Sequence, residues 1–231
     1  MQIDILTLFP SLFDSVFSQS IIKKAVDKKI VKIKITNIRD FAAGKHKTVD
    51  DKPYGGGAGM IMMALPIVTA IESVRSPKSK IKSQRIILLS PQGKVFSQKK
   101  AKEFSKYKHL IFICGHYGGV DERVLKFVDE EISVGDFVLT GGEIPAMVVV
   151  DAVVRILPKV VAKSDSVERD SHWAGGLASS VYTRPCNFRN LKVPEVLLSG
   201  NHQKIKMWRD ENARRNTLLK RPELIGKIKK Q

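Results

Sequence analysis

Two continuous apolar runs mark the centre of the sequence. They are RIILLS (Arg85–Ser90) and HLIFIC (His109–Cys114), and a stretch with helical character, Ser97–Tyr107, separates them. Continuous apolar runs are typical of parallel strands that are buried on both faces. Strands that alternate with helices indicate an α/β domain with a largely parallel sheet. The pattern therefore predicts a parallel sheet as the core of the protein.

The pattern extends to both sides of these runs. On the N-terminal side it predicts two strands, IDILTLF (Ile3–Phe9) and VKIKIT (Val31–Thr36), the second with one solvent-exposed face. Helices are predicted at Leu65–Val74 and from about Pro145 to Leu157. A further helix is predicted over Pro10–Lys29, with four apolar residues on one face: Leu12, Phe13, Val16 and Phe17.

The C-terminal part differs from the rest in charge. From Asn201 onward the sequence is helical in pattern and contains ten Lys or Arg against three Asp or Glu. Before it, Lys159–Gly176 is polar and irregular. These features predict a small, basic helical domain behind a linker.

Turn-rich loops follow the buried strands. They are Ser90–Gly93, Gly115–Gly119 and Ser133–Glu143, and they are rich in glycine. Ligands of parallel α/β sheets bind beyond the carboxyl ends of the strands, and bare glycine backbone lets a ligand approach closely. The three loops are therefore expected to form a ligand site at one edge of the sheet.

Composition narrows the class of partner. The 231 residues are 43% hydrophobic, with a net charge of +17 and a pI near 9.9. The charge favours a polyanionic partner, nucleic acid or an anionic membrane, over a basic protein without such a partner. The apolar run Ile144–Val150 is too short to span a bilayer.

The two cysteines, Cys114 and Cys186, have no metal-type spacing. We therefore expect reduced thiols in a cytoplasmic protein and no metal bound by cysteine.

The stretch VDDKPYGGGAGMIMM (Val49–Met63) has four glycines in five positions. It is not a phosphate-binding loop, because Gly59 is followed by Met60 rather than by Lys-Ser/Thr. It also lacks the spacing of a dinucleotide-binding turn. Two interpretations stay open: a flexible surface loop without a ligand, or bare backbone against which a ligand lies.

Several motifs occur together in a characteristic order. They are LFP (Leu8–Pro10), TVDDKPYGGGAGM (Thr48–Met60), LLSPQG (Leu88–Gly93), CGHYGGVDERV (Cys114–Val124), SVGDFVLTGGEIPAM (Ser133–Met147), YTRP (Tyr182–Pro185) and VPEVLLSGNH (Val193–His202). From Met1 to about Leu224 the chain closely resembles the bacterial tRNA (guanine-N1)-methyltransferase family, TrmD. The resemblance rests on the order and spacing of the motifs, because each of them alone is weak.

The resemblance implies a fold, a reaction and partners. The fold would be a SPOUT-type α/β parallel sheet with a deep trefoil knot, plus a small helical C-terminal domain. The methyl donor would be S-adenosylmethionine, and the substrate a tRNA with guanosine at position 37, preceded by guanosine. The enzyme would be a homodimer whose active sites use both copies. The domains would be 1–158 (catalytic), 159–176 (linker with the catalytic Asp) and 177–231 (tRNA-binding).

The resemblance also assigns residues. Asp170 would be the general base, and Arg155 the cation that stabilises charge on the guanine. From sequence alone, Asp170 also suits a helix N-cap or a solvated linker carboxylate, and Arg155 a helical ion pair with Asp151. The tRNA-binding residues would be Asp50, Gly59, Arg209, Arg214 and Arg215. The donor-binding residues would be Leu89, Ser90, Pro91, Gly115, Tyr117, Gly119, Val134, Gly135, Asp136, Phe137, Val138, Leu139, Gly141, Gly142 and Pro145.

The chain departs from the family pattern at several positions. Gly118 stands where the family has a glutamate that it associates with Mg²⁺ dependence, which calls Mg²⁺ into question as a cofactor. His172 and Gly176 in the predicted linker, and Ala178 just after it, replace family residues. Two alternatives to methylation of guanine N1 therefore stay open: a relative that binds donor and tRNA with weakened catalysis, and a SPOUT enzyme that methylates a ribose 2′-hydroxyl.

Overall fold

The computed structural model describes residues 1–75, 83–162 and 164–228, and the chain divides into two compact units, Met1–Ala162 and Lys163–Gln231. The first unit is built on a five-stranded sheet in the order β2-β1-β6-β5-β7, with every neighbouring pair parallel. Its strands are β1 Gln2–Thr7, β2 Lys32–Asn37, β5 Gln84–Val95, β6 His109–Cys114 and β7 Glu130–Ser133. The predicted parallel α/β sheet is confirmed.

Strand β6 lies at the centre of the sheet, and all six of its residues are buried. Leu110 and Phe112 belong to one apolar cluster, whereas Ile111 and Ile113 belong to a second cluster on the other face. Successive side chains of a strand point to opposite faces, so a central strand covered on both sides needs an unbroken apolar run. For this reason the apolar run of HLIFIC is continuous.

Helices cover both faces of the sheet. The first cluster packs the sheet against α2, α4 and α5, and the second packs it against α3 and nearby 3-10 turns. In this unit the helices are α1 Asp14–Phe17, α2 Ser20–Asp27, α3 Ala64–Val74, α4 Gln98–Phe104 and α5 Glu143–Arg155. Two short strands, β3 Asp50–Asp51 and β4 Ile61–Met62, form an antiparallel hairpin outside the sheet.

The helix predicted over Pro10–Lys29 is wrong as one element. A 3-10 turn and the short α1 are followed by extended backbone at Gln19 and by Ser20, the first residue of α2, whose φ of 55° is left-handed. The predicted single apolar face is wrong for the same reason. Phe13 is buried, but Leu12 and Val16 are exposed.

Strand β7 was not predicted, because it is short and begins with two glutamates. It lies at the edge of the sheet, where the Glu130 carboxylate accepts hydrogen bonds from Arg85 Nε at 2.8 Å and from Lys100 Nζ at 3.0 Å. Partial burial raises the pKa of Glu130, but these two cations outweigh it and hold the pKa below its ordinary value. The first glutamate of this charged strand is thus accommodated because its charge is paired.

The second unit is mainly helical. Its elements are α6 Ser164–Glu168, β8 Asn187–Phe188, β9 Leu191–Lys192, α7 Glu195–Leu198, α8 His202–Lys220 and α9 Ile225–Ile228. Helix α8 confirms the helix predicted after Asn201, and α6 corrects the expectation that Lys159–Gly176 is irregular throughout. Lys163 and the tail residues 229–231 lie outside the described residues. Among the helices within the described ranges, none has the length and apolar character needed to cross a membrane.

Candidate functional site: a glycine-lined cavity at the sheet edge

The first loop is an excursion within β5 rather than a connection between elements. Leu89 and Lys94 both lie opposite Ile132 of β7, so Ser90–Gly93 bulges out of the sheet between them. A Cβ atom at Gly93 would collide with the backbone of Glu131 and Ile132. The predicted turn is therefore held within a strand that continues to Val95, and its glycine is required by close packing.

The second loop follows β6. Tyr117 and Gly119 have positive φ angles of 58° and 123°, which turn the backbone back towards the β3–β4 hairpin. The backbone N–H of Gly118 donates to Met60 O at 2.9 Å, and the N–H of Met62 donates to Gly119 O at 2.9 Å. The glycine-rich stretch at Val49–Met63 is thus a hairpin whose base is hydrogen-bonded to this loop.

The tip of that hairpin is bare backbone. Gly55, Gly56, Gly57 and Gly59 all have positive φ, and a Cβ atom added at three of them would meet nothing within 4 Å. Conformation rather than crowding therefore requires glycine here. Asp50, one of the predicted tRNA-binding residues, lies half-buried in β3 at the base of the same hairpin.

The third loop leads from β7 into α5 and returns to the second loop. The N–H of Gly142 donates to Gly115 O at 2.7 Å, and Gly141 forms a bridge with His116. A Cβ atom at Gly142 would lie 2.7 Å from Cys114 Cα. Phe137 and Val138, which precede these contacts along the chain, are exposed. The end of the third loop therefore packs on the second loop while its middle projects outward.

A cavity of about 330 Å³ lies among the three loops. Thirteen of the fifteen predicted donor-binding residues line it; Gly135 and Asp136 do not. Sequence reasoning missed the other lining residues, which are Leu88, Gln92, His116, Gly118, Val120, Glu122, Leu125, Glu131, Ile132, Ser133 and Thr140. Five of them, Gln92, His116, Gly118, Ser133 and Thr140, lie within the three predicted loops, whereas the other six lie outside them.

A buried carboxylate lies beside this cavity. Glu143 is the first residue of α5 and is 3% exposed. Its carboxylate accepts a 2.7 Å hydrogen bond from Thr7 Oγ1 and lies 3.7 Å from His116 Nδ1.

Burial and the nearby Glu143 carboxylate raise the pKa of the Cys114 thiol well above its ordinary value. Cys114 therefore stays protonated and is unsuited to act as a nucleophile.

The two predicted catalytic residues belong to different units. Arg155 is the last residue of α5 in the first unit. Asp170 follows α6 in the second unit, where its backbone N–H donates to Val167 O at 3.2 Å. Asp170 is not a helix N-cap, because α6 ends at Glu168 and α7 begins only at Glu195.

The remaining predicted tRNA-binding residues are basic. Arg209, Arg214 and Arg215 are exposed on α8 in the second unit. Within the described ranges, no group of three His, Cys, Asp or Glu side chains is placed to hold a metal ion. A metal site thus has no built ligand set among these residues.

A parallel α/β sheet with a glycine-lined cavity at its carboxyl edge defines an α/β protein with a candidate ligand site at the place where such sheets bind ligands. The sequence model of the family described as tRNA (Guanine-1)-methyltransferase TrmD matches residues 1–227. A tRNA (guanine-N(1)-)-methyltransferase of Dictyoglomus turgidum is 53% identical over 227 residues, covering 98% of this chain and 91% of the relative. A protein of the same description from Bacillus pumilus is 52% identical over 230 residues, covering 99% and 93%. The chain belongs to the TrmD family.

Proposed function

We propose that this protein is a tRNA (guanine-N1)-methyltransferase that uses S-adenosylmethionine to methylate N1 of guanosine 37. The observation that carries the proposal is the cavity at the sheet edge. The three loops that form it are the segments that hold the family's motifs, and glycines leave their backbone open to a ligand.

The proposed donor site is the cavity itself. Its volume of about 330 Å³ is within the usual range for sites that bind small molecules. S-adenosylmethionine supplies an electrophilic methyl group on a positively charged sulfonium. Glu122 and Glu131 are among the residues at the cavity wall, and acidic residues near the site favour a cationic ligand over an anionic one.

The proposed chemistry is the removal of one proton and the stabilisation of one charge. Guanine N1 carries a proton and becomes nucleophilic only when a base removes it. We assign that role to the Asp170 carboxylate. Charge then develops on guanine O6, and we assign its stabilisation to the Arg155 guanidinium. No step of this scheme is routed through Mg²⁺, because Gly118 offers no carboxylate.

The proposed tRNA site uses two surfaces. The bare backbone at the hairpin tip, including Gly59, gives a flipped-out base room beside the second loop. Asp50 at the hairpin base is an acceptor for the N–H groups of a guanine edge. Arg209, Arg214 and Arg215 supply exposed positive charge for the phosphates.

The proposed assembly is a homodimer with active sites built from both copies. Its support is an apolar surface formed by Leu12 and Val16 with Ile144 and Val148, all exposed, on segments that adjoin each other. Exposed apolar surface of this kind marks contact sites.

We also propose that the third loop completes a trefoil knot, since it returns from the sheet edge to hydrogen-bond with the second loop before α5 begins.

We propose that residues 1–158 form the catalytic domain, 159–176 the linker that carries Asp170, and 177–231 the tRNA-binding domain. A tRNA-modifying enzyme works where its substrate is, so we place the protein in the cytoplasm. Both cysteines are free thiols in the structure, which agrees with a reducing compartment.

The test is methyl transfer from labelled S-adenosylmethionine to two tRNA transcripts that differ only at position 36, guanosine or adenosine. Asp170→Ala is compared with Asp27→Ala, which removes an exposed carboxylate of α2. We expect transfer to the first transcript alone, a loss of roughly 10²–10⁴-fold in Asp170→Ala, and full activity in Asp27→Ala. Donor affinity is expected to be unchanged in both variants.

Other outcomes distinguish the alternatives. Donor and tRNA binding without transfer would identify a relative with weakened catalysis. A methyl group on ribose after nuclease digestion would identify a 2′-O-methyltransferase. Normal turnover in Asp170→Ala would remove that residue from the role of general base.

A further inference from the structure

Helix α8 buries polar residues and exposes apolar ones. Asn212 is 5% exposed and Thr217 1%, whereas Leu219 is 75% exposed. A helix normally buries its apolar stripe, and a buried polar side chain is unfavourable unless it is hydrogen-bonded. The inverted pattern therefore calls for specific partners of Asn212 and Thr217.

Those partners are backbone groups of one segment without regular secondary structure, Leu177–Ser180. The Thr217 hydroxyl accepts from the N–H of Leu177 at 2.9 Å and donates to Ala213 O at 2.8 Å. The Asn212 side-chain oxygen accepts from the N–H of Ser180 at 2.7 Å. Two buried side chains of α8 thus satisfy two backbone amides of a segment that belongs to no sheet.

A third side chain of the same helix adds to these contacts. Asn216 lies one turn after Asn212, on the same face of α8, and its Nδ2 donates to Ala178 O at 3.1 Å. The same amide donates to Asn212 Oδ1 at 3.3 Å, which links the side chains to each other. Side chains of α8 therefore bind the backbone of Leu177–Ser180 both as hydrogen-bond donors and as hydrogen-bond acceptors.

The anchored segment ends the loop that begins at Asp170. The N–H of Ala178 donates to Ser171 Oγ at 2.9 Å, and the N–H of His172 donates to Gly176 O at 2.6 Å. The first bond ties Ser171, the residue after Asp170, to the segment that α8 holds, and the second closes the loop between them. The position of Asp170 is thus connected to α8 through one side chain and a short loop.

We propose that Asn212, Asn216 and Thr217 are positioning residues that preorganise the Asp170 loop by anchoring its C-terminal end. The anchoring is a property of the second unit alone, while its effect on catalysis rests on the function proposed above. A general base must lie within hydrogen-bonding reach of the proton that it removes, and small displacements from that geometry lower the rate.

The test compares three variants. Thr217→Val replaces the hydroxyl with a methyl group and leaves the Leu177 N–H without its partner. Thr217→Ser restores the hydroxyl. Thr69→Val is the matched control, because the Thr69 hydroxyl on α3 donates only to Leu65 O of its own helix. Each variant is measured by hydrogen exchange of the peptide that contains Leu177–Ser180, by donor affinity, and by kcat and KM for tRNA.

In Thr217→Val we expect exchange in the Leu177–Ser180 peptide to rise and kcat to fall, each roughly tenfold, as for loss of one partner of a buried amide. Donor affinity and the KM for tRNA should change by less than about twofold, because the donor cavity is untouched. Thr217→Ser should restore both values, and Thr69→Val should change neither.

Two results would overturn the proposal: fast exchange of this peptide in the unmodified protein, or equal kcat in Thr217→Val and Thr69→Val. If the unmodified protein transfers no methyl group, the proposed function fails, while the exchange measurement still decides the anchoring. If Thr217→Val does not fold, Asn216→Ala, which removes a half-buried donor to the same segment, takes its place with the same expected directions.

Discussion

Gly142 lines the cavity at a position that has no room for one added carbon. Its φ of −80° suits any residue, so conformation does not require glycine there. Space does: the added Cβ of Gly142→Ala would lie 2.7 Å from Cys114 Cα and 3.0 Å from Gly115 N. Both are backbone atoms that cannot rotate away.

The structure sets the size of the disturbance. Ordinary contact begins near 3.4 Å, so the third loop must move from the second by about 0.7 Å. The hydrogen bond from Gly142 N–H to Gly115 O, now 2.7 Å, would stretch beyond good geometry. Overpacking and a weakened hydrogen bond together cost about 2–3 kcal/mol, or roughly 5–10 °C in Tm for a unit of this size.

The assay measures thermal unfolding and donor affinity in parallel. Gly44→Ala is the control, because Gly44 has open space around it but a φ of +78°, so its variant loses about 1–2 kcal/mol by conformation alone. We expect both variants to be less stable. Only Gly142→Ala should weaken donor binding, by roughly tenfold or more.

Donor binding by Gly142→Ala as tight as that of the unmodified protein would show that the spacing of the two loops does not control donor affinity. Equal weakening in both variants would show that lost stability, rather than the geometry of the loops, controls binding.

Three further predictions concern ionisable side chains. The pKa of Glu130 in the folded protein lies below its ordinary 4.5, so this carboxylate stabilises the fold above that pH and loses its contribution as the pH falls through the lowered pKa. Glu130→Gln should therefore reduce the fall of Tm at acid pH, and an unchanged fall would contradict this. Arg215→Gln should lower the slope of log affinity for tRNA against log salt by about one, and an unchanged slope would exclude a phosphate contact. A thiol reagent should label exposed Cys186 in the native protein and Cys114 only after unfolding, as mass spectrometry can show.

Much of the sheet is predictable from the sequence because its central strands are buried on both faces. That environment forces runs such as HLIFIC, which no surface element needs. Strand β7 escapes prediction for the opposite reason. At the edge of the sheet its Glu130 is held by Arg85 and Lys100, and those partners are distant along the chain.

The loops around the cavity are predictable because backbone segments that approach each other closely require glycine, which is visible in the sequence. The contacts beneath the cavity have no such sequence signal. Thr7 and Glu143 are 136 residues apart and meet only in the fold, and each suits an ordinary surface when viewed alone. The same holds for the buried pair of Asp4 and His109, whose side-chain atoms lie 2.6 Å apart.

The link between the β3–β4 hairpin and the second loop has a thermodynamic consequence. Three backbone hydrogen bonds, each of 2.9 Å, connect Met60 and Met62 to Gly118, Gly119 and Asp121. A molecule that orders one of these segments also orders the other, so a second molecule binding to the linked segment loses less entropy. Such coupling is reciprocal. If donor and tRNA bind to the two segments, each raises the affinity for the other by the same factor.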